Sequence, residues 1–257
     1  MVRGLFTSWT GMANEQKRLD IISNNLANAT TVGYKKDNVT NQSFSDFLTL
    51  KVKDSSELYN DRPIGTMNLG VKLGEAYTDF SQGSLRETGN TYDLAIEGNG
   101  FFNIATTDAD GNQVIRYTRN GTFTLDQNGR IVDADGNVLM GESGEITIPT
   151  NATDVSIDLD GSIYADGVYI DRIITTDFED YSYLVKQDDR IYTAQDGAQA
   201  VEGTASIRQG FTEQSNVNVV NEMVEMITVS RAYEANQKVI QTIDGTLDLA
   251  ANSVAKV

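Results

Sequence analysis

The 257-residue chain contains no cysteine and no histidine. That double absence excludes disulfides, thiolate nucleophiles, Cys/His zinc sites and imidazole acid–base chemistry together. It does not fix a compartment, because a cytosolic chain can lack cysteine by chance. Positive charge is scarce too: 20 Lys and Arg stand against 37 Asp and Glu, a net charge of −17. Phosphate backbones demand the opposite excess, so no nucleic-acid partner is expected. No stretch approaches the roughly eighteen apolar residues of a membrane span, and no membrane insertion is expected. The opening residues, MVRGLFTSWTGMANEQ, hold one basic residue and no continuous apolar core before Glu15, which is not a signal peptide. A chain of this kind leaves the cytoplasm only by a route that reads an uncleaved N-terminus. No cofactor is expected.

What is present is organised around the C-terminal end. Val219, Met226, Tyr233, Ile240, Leu247 and Val254 recur every seven residues, and Val229, Ile243 and Ala250 follow three residues after Met226, Ile240 and Leu247. A stripe that narrow predicts a helix that buries against one partner helix. Glu222, Glu225, Arg231, Glu234, Lys238, Asp244 and Asp248 occupy its other faces. The comparable stripe lies at the opposite end: Leu5, Met12, Leu19 and Leu26, with Ile22 three after Leu19. Gly4 and Gly11 each weaken that helix by roughly 1 kcal/mol relative to Ala, so it orders only when packed. Asn24, Asn25 and Asn28 compete for backbone hydrogen bonds. They mark either fraying toward Gly33 or amides that bond to neighbouring chains. Gly33 is expected to cap the helix left-handedly, with Tyr34 starting an extended segment. Residues 1–36 carry Arg3, Lys17, Arg18, Lys35 and Lys36 against Glu15 and Asp20, whereas residues 213–257 are net acidic, and this difference favours pairing of the ends. Trp9 and Phe6 either anchor a binding surface or, as expected first, pack against the partner helix.

Between the ends the pattern changes twice. Residues 36–76 are expected to be an extended connector, with an apolar cluster at Phe44, Phe47, Leu48 and Leu50, a polar run from Lys51 to Asp61, and at most one short helix. Residues 77–212 show short β runs between turns. Asp110-Gly, Asn120-Gly, Asn128-Gly, Asp135-Gly, Asp160-Gly and Asp166-Gly supply the positive φ that tight hairpins need. The predicted class is therefore α+β in several parts. Terminal helices (1–35 and 213–257) pair as a coiled coil, and a central all-β meander closes into a small barrel or sandwich.

Candidate chemistry is weak. Asp108-Ala-Asp-Gly-Asn, Asp133-Ala-Asp-Gly-Asn and Asp158-Leu-Asp-Gly resemble calcium loops. An EF-hand, however, needs Gly at position six and Glu at twelve, where the first two loops place Gln113 and Arg119, and Val138 and Gly144. These are hairpin tips, and no metal ligand set is assigned. Gly98-Asn-Gly100 has no third glycine and no following helix, so it is no dinucleotide loop. Ser, Thr and Lys nucleophiles have no histidine to activate them. Tyr, Lys and carboxylate bases stay formally open; the enzyme reading carried forward is a carboxylate pair, and it requires a pocket of a few hundred Å3 in the β region. No catalytic residue is assigned.

Four stretches carry a resemblance. LDIISNNLAN (19–28) with Gly33-Tyr34-Lys35, and QSNVNV (214–219) with EMVEMI (222–227) and RAYEAN (231–236), resemble the terminal signatures of bacterial flagellar rod and hook proteins. DLAIEGNGFF (93–102) and YTRNGTF (117–123) resemble that family's central β region. The resemblance implies a structural subunit of the basal-body rod that self-associates into a helical tube and transmits torque from motor to hook. It implies neighbouring rod and hook proteins as partners. It also implies export by the flagellar type III apparatus, and a location in the basal body outside the cytoplasmic membrane. Length favours a distal-rod type over proximal-rod or hook relatives. Ile21, Ile22, Val220, Met223, Val224 and Ile227 widen the stripes beyond a two-helix seam, which suits a tube. The expected assembly interface comprises Leu5, Met12, Leu19, Ile22, Asn24, Asn25, Leu26, Asn28, Gly33 and Tyr34 at one end, and Val219, Met223, Met226, Ile227, Tyr233, Ile240 and Leu247 at the other. The competing class is a secreted scaffold whose helical pair only dimerises.

Overall fold

The computed structural model describes residues 2–51, 62–68, 70–108 and 111–254. The chain divides into two compact units. One comprises Met1–Ala27, Asp37–Thr78 and Asn218–Val257, the other Asn28–Lys36 and Asp79–Val217.

The first unit holds helix α1 (Val2–Ala27), strands β1 (Asp37–Ser43), β2 (Phe47–Lys51), β3 (Arg62–Met67) and β4 (Val71–Thr78), and helix α2 (Val219–Leu249) with a π-helical extension, Ala250–Val254. Asn218 starts α2 by accepting from the Val220 and Asn221 backbone N–H groups at 3.1 Å each. The stretch expected to be a connector is mostly strand in its described part: β1 pairs antiparallel with β4, and β2 with β3. The polar run from Lys51 onward lies, from residue 52 to 61, outside the described residues. A bulge between Val39 and Asn41 gives β1 its irregularity, and the Thr40 hydroxyl there donates to the Glu75 carbonyl at 3.2 Å. The β1–β4 pair sits on α1. Asn14 Nδ2 donates to Asn41 Oδ1 at 3.1 Å, and Gly70 lies so close to Thr10 that any side chain would overlap its hydroxyl.

The second unit is all-β. Its strands are β5 (Leu85–Glu87), β6 (Leu94–Glu97), β7 (Phe101–Thr107), β8 (Gln113–Thr118), β9 (Phe123–Leu125), β10 (Ile131–Asp133), β11 (Val138–Gly141), β12 (Gly144–Glu145), β13 (Val155–Ile157), β14 (Ser162–Ala165), β15 (Val168–Arg172), β16 (Thr175–Phe178), β17 (Leu184–Asp188), β18 (Ile191–Ala194), β19 (Ala200–Glu202), β20 (Ser206–Gln209) and β21 (Phe211–Glu213). The main sheet runs β17-β18-β8-β7-β11-β10-β9, with β12, β16 and β19 attached beside it, and β13-β14-β15 form a separate sheet. β17 and β9 are not paired with each other, so the expected closed barrel does not form among the described residues. The ladders are antiparallel, as the turn signals imply. Gly111, Gly129, Gly136, Gly161 and Gly167 take φ between +80° and +87°. Gly121 is different: a Cβ there would overlap the Leu94 carbonyl, so Asn120-Gly121 is a close backbone crossing and not a hairpin turn. Asp110 of the first turn signal lies outside the described residues.

β7 carries apolar side chains on both faces because both are covered. Phe102 and Ile104 enter an aliphatic core with Leu94, Phe123, Ile131 and Leu139. Phe101 points to an aromatic cluster with Phe178, Leu184 and Tyr192, and the Phe80 ring meets it edge-on at 5.5 Å. Each fully buried large apolar side chain contributes about 1.5–3 kcal/mol.

The chain enters and leaves this unit at one buried ionic cluster. The Glu213 carboxylate accepts from Lys35 Nζ at 2.6 Å, from the Gly83 N–H at 2.9 Å and from Arg119 Nη1 at 3.1 Å. Lys35 also donates to the Ser81 carbonyl at 2.8 Å, and Arg119 to the Gly98 carbonyl at 2.9 Å. All three side chains are 3% exposed or less. Burial pulls the Lys35 ammonium below its ordinary 10.5; Glu213 opposes this and Arg119 adds to it. Gly33, whose φ is +72°, donates its N–H to the Glu213 carbonyl at 2.9 Å. The left-handed conformation expected there is present, but it does not cap α1. The helix ends at Ala27, and an Asn28–Thr31 turn intervenes.

Glu213→Ala leaves two buried cations without a counter-charge and should destabilise the β unit by about 3–5 kcal/mol. Lys35→Met leaves Arg119 and Glu213 as a one-to-one pair and should cost less. Urea unfolding of the two variants checks the order, and equal losses would contradict it.

Asp133 provides a second test. It is buried and bonded to Asn120 Nδ2 at 2.9 Å, and burial raises its carboxyl above the ordinary 3.8, opposed mainly by the Ala134 N–H. A raised folded value means that the native state holds this proton more tightly than the unfolded chain. Its contribution is present in full below pH 3.8 and is lost as pH rises through the folded value. Asp133→Asn, which keeps an acceptor oxygen, should therefore raise thermal stability at pH 7 relative to its effect at pH 3.5. A uniform shift at both pH values would sink this reading.

Candidate assembly surface

Within the first unit, α1 and α2 run antiparallel, and the register is fixed by four neighbours at seven-residue spacing on α1. A Cβ on Gly4 would lie 3.3 Å from Ile243 Cδ1, and one on Gly11 would lie 2.9 Å from Asn236 Nδ2. Arg18 Nη2 meets Glu225 Oε1 at 3.0 Å, and Asn25 Nδ2 meets Glu222 Oε2 at 3.4 Å. The two glycines remove the side chains that would hold the helices apart. Their cost to the isolated helix is offset by closer packing against α2. On α2 the complementary row is Glu222, Val229, Asn236 and Ile243; Glu222 and Val229 are buried.

This places the expected interface residues in three environments. Ile22 and Asn25 are buried, and the Asn25 amide brackets the Asp37 backbone, donating to its carbonyl at 2.9 Å and accepting from its N–H at 3.0 Å. Leu5, Met12, Leu19 and Leu26 lie one position round from the glycine row and are only half-buried, as are Met226, Tyr233 and Ile240. Asn24, Val219, Met223, Ile227 and Leu247 are exposed. In the second unit, Asn28 is half-buried and accepts from the Thr31 hydroxyl at 3.1 Å, while Gly33 and Tyr34 are buried, with Lys186 Nζ 4.1 Å above the Tyr34 ring. The structure thus gathers the two terminal stripes in one unit but leaves Asn28, Gly33 and Tyr34 to the other.

The outward face of α2 is apolar. Val220 is 64% exposed, Val224 60%, Ile227 54% and Met223 44%, and they fall at helical spacing on one side. Phe6 and Trp9 on α1 are also more than half exposed, so the expectation that they pack on the partner helix is not met. Sequence reasoning took Gly4 and Gly11 as weak points and missed their role in the seam, although they are in phase with Arg18 and Asn25. It also missed Lys35, Arg119 and Glu213; each lies in or beside a stretch that carries the family resemblance.

Nothing in this geometry builds a reaction centre. No group of three or more His, Cys, Asp or Glu suited to a metal occurs among the described residues. A cavity of about 550 Å3 does form in the β unit, lined by Glu142, Asp160, Arg172 and Glu202 over Ile173 and Ile207. The volume that a carboxylate-pair enzyme requires is therefore available, and the enzyme reading is decided by kinship.

Three family descriptions match consecutive parts of the chain. "Flagella basal body rod protein" covers residues 5–35, "Flagellar hook protein FlgE/F/G D1 domain" residues 95–165, and "Flagellar basal body rod FlgEFG protein C-terminal" residues 208–253. The chain is similar to the flagellar basal-body rod protein FlgG of Bacillus subtilis, with 36% identity over 98% of this chain and 99% of the relative. It is similar to FlgG of Buchnera aphidicola from Acyrthosiphon pisum, also at 36%, over 96% of this chain and 98% of the relative. With the flagellar hook-basal body complex protein FlhO of Bacillus subtilis it shares 31% identity over the full length of both. These matches are to structural proteins and not to enzymes, and the chain belongs to the flagellar basal-body rod and hook protein family.

Proposed function

We propose that this chain is a distal-rod subunit that polymerises through α1 and α2 into a helical tube and carries torque from motor to hook. The observation that carries the reading is the apolar ridge Val220, Met223, Val224 and Ile227, left open on α2 after α1 has covered the opposite face. A soluble monomer gains nothing from such a ridge, whereas a tube buries it against further helices. Within Bacillus subtilis the identity is higher to FlgG, at 36%, than to FlhO, at 31%, which supports the distal-rod assignment. In this reading the α1–α2 pair is a coiled-coil element of the tube wall. Its interface draws on Leu5, Met12, Leu19, Leu26, Asn24, Met226, Tyr233, Ile240 and Leu247 beside the ridge. Ile22, Asn25, Asn28, Gly33 and Tyr34 act from inside the subunit by holding its shape. The subunit reaches the basal body through the flagellar type III apparatus and meets other rod and hook proteins at the ends of its own segment.

Ile227→Asp tests the ridge. An exposed substitution changes monomer stability by no more than about 0.5 kcal/mol, so the melting curve should be unaltered while polymer disappears in sedimentation and negative-stain images. Normal polymer from this variant would overturn the assignment. A discrete dimer from the parent chain, with no larger species at any concentration, would favour a closed scaffold.

A further inference from the structure

Beside α1 the first unit has a small apolar groove of about 170 Å3, floored by Trp9, Phe44, Val71 and Leu73 and rimmed by Lys17 and Lys72. Trp9 is 56% exposed, both lysines are exposed, and no carboxylate lines the groove. A hole of that size admits one large apolar side chain, and its rim calls for negative charge beside that side chain. The C-terminal part of α2 presents that combination. Leu247 is exposed, with Asp244 three residues before it and Asp248 next to it, and α2 carries no basic residue after Lys238. The N-terminal ridge does not match as well. Of the acids beside it, Glu222 is buried and Glu225 already holds Arg18.

We propose that the groove receives Leu247 of a second copy, with Asp244 and Asp248 of that copy facing Lys17 and Lys72. The same chain cannot fill it. Ile243 lies against Gly4 and Asn236 against Gly11, so a subunit's own Asp248 is displaced from Trp9 by about ten residues of helix, roughly 15 Å. Groove and knob are different surfaces of one subunit, so two copies can exchange both contacts across a two-fold axis or make one contact and leave a groove and a knob open. The polymerising reading takes the second arrangement, in which the contact is heterologous and propagates. This rests on the polymerising reading above and names one of its contacts.

The chain has a single tryptophan, and it is in the groove, so its emission reports occupancy directly. In the full-length protein, Trp9 emission should shift to the blue as polymer forms, with sedimentation followed in parallel. Lys17→Glu with Lys72→Glu should raise the concentration needed for assembly about tenfold or more, and Asp244→Lys with Asp248→Lys should do the same. Mixing the two variants should restore both assembly and the shift, because each then offers a charge-matched surface to the other. Circular dichroism of each variant confirms that the helices remain formed. Polymer that assembles with Trp9 still emitting as an exposed indole overturns the groove contact and leaves the rod-subunit reading standing. If Val220→Glu with Ile227→Glu removes the shift from residual polymer while the Asp244/Asp248 variant keeps it, the ridge occupies the groove and the proposal falls. Absence of any polymer from the parent chain overturns both.

Discussion

The β unit depends on one buried carboxylate. Glu213 draws Lys35 from the segment entering the unit, Arg119 from the crossing after β8, and the Gly83 N–H from the approach to β5. Removing charges of this kind from water costs several kcal/mol per ion, and the cluster is tolerable only because the carboxylate oxygens and both cations find partners. Its geometry is demanding in return. Gly83 has no space for a side chain beside the Gln214 carbonyl, and Gly33 holds a left-handed backbone against Arg119 and Asn120. Lys36 N–H donates to Asn216 Oδ1 at 2.8 Å, so the entering and leaving strands are tied side by side just outside the cluster. A non-polar replacement would supply no such orientation. The specificity of the arrangement, more than net stability, is what two cations and one carboxylate provide.

The helical unit solves a different problem. α1 carries glycine at two of four successive seam positions, and as an isolated helix it is poor. Paired with α2, those glycines let the Ile243 and Asn236 side chains lie against the α1 backbone, where a methyl group would have to displace them, and Asn25 joins the helix end to the first residue of β1. The polar seam residues Glu222 and Asn236 fix one register, since sliding either helix by a turn would separate Glu222 from Asn25.

Much of this was legible in the sequence. The helical character of the C-terminal stretch and its start near Val219, the Asp-Gly and Asn-Gly hairpins, and the helix–β–helix order follow from periodicity and turn chemistry. What was not legible has a common cause. The apolar stripe Leu5, Met12, Leu19 and Leu26 lies half-buried beside the row that approaches α2 at Gly4, Gly11, Arg18 and Asn25, and periodicity missed that row because it counts apolar residues and passes over glycine. Sheet closure depends on long-range pairing, which turn signals do not encode, and the main sheet stays open. β1 and β4 lie far apart in sequence and carry polar residues, so a connector was expected where a strand pair packs on α1. The ionic cluster joins residues up to 178 positions apart, and no local pattern announces it.

Charge and apolar surface together limit how such a unit can associate. The α1 side offers exposed aromatics with lysines, and the far end of α2 offers aliphatics with carboxylates. A two-fold dimer needs each contact to be repeated in reverse across the axis, so that like surfaces approach one another near it. Here it would satisfy both grooves and both aspartate-flanked ends within one pair and leave neither open for a further copy. Translating and rotating each copy so that its groove and its aspartate-flanked end meet two different copies leaves one of each open at the ends, and nothing in it stops the chain of contacts. The apolar ridge at the other end of α2 adds area to that arrangement without adding charge, so it sets the strength of association while the charged ends set its direction. Salt should accordingly weaken direction more than strength, because screening acts on the exposed pairs and leaves the apolar term.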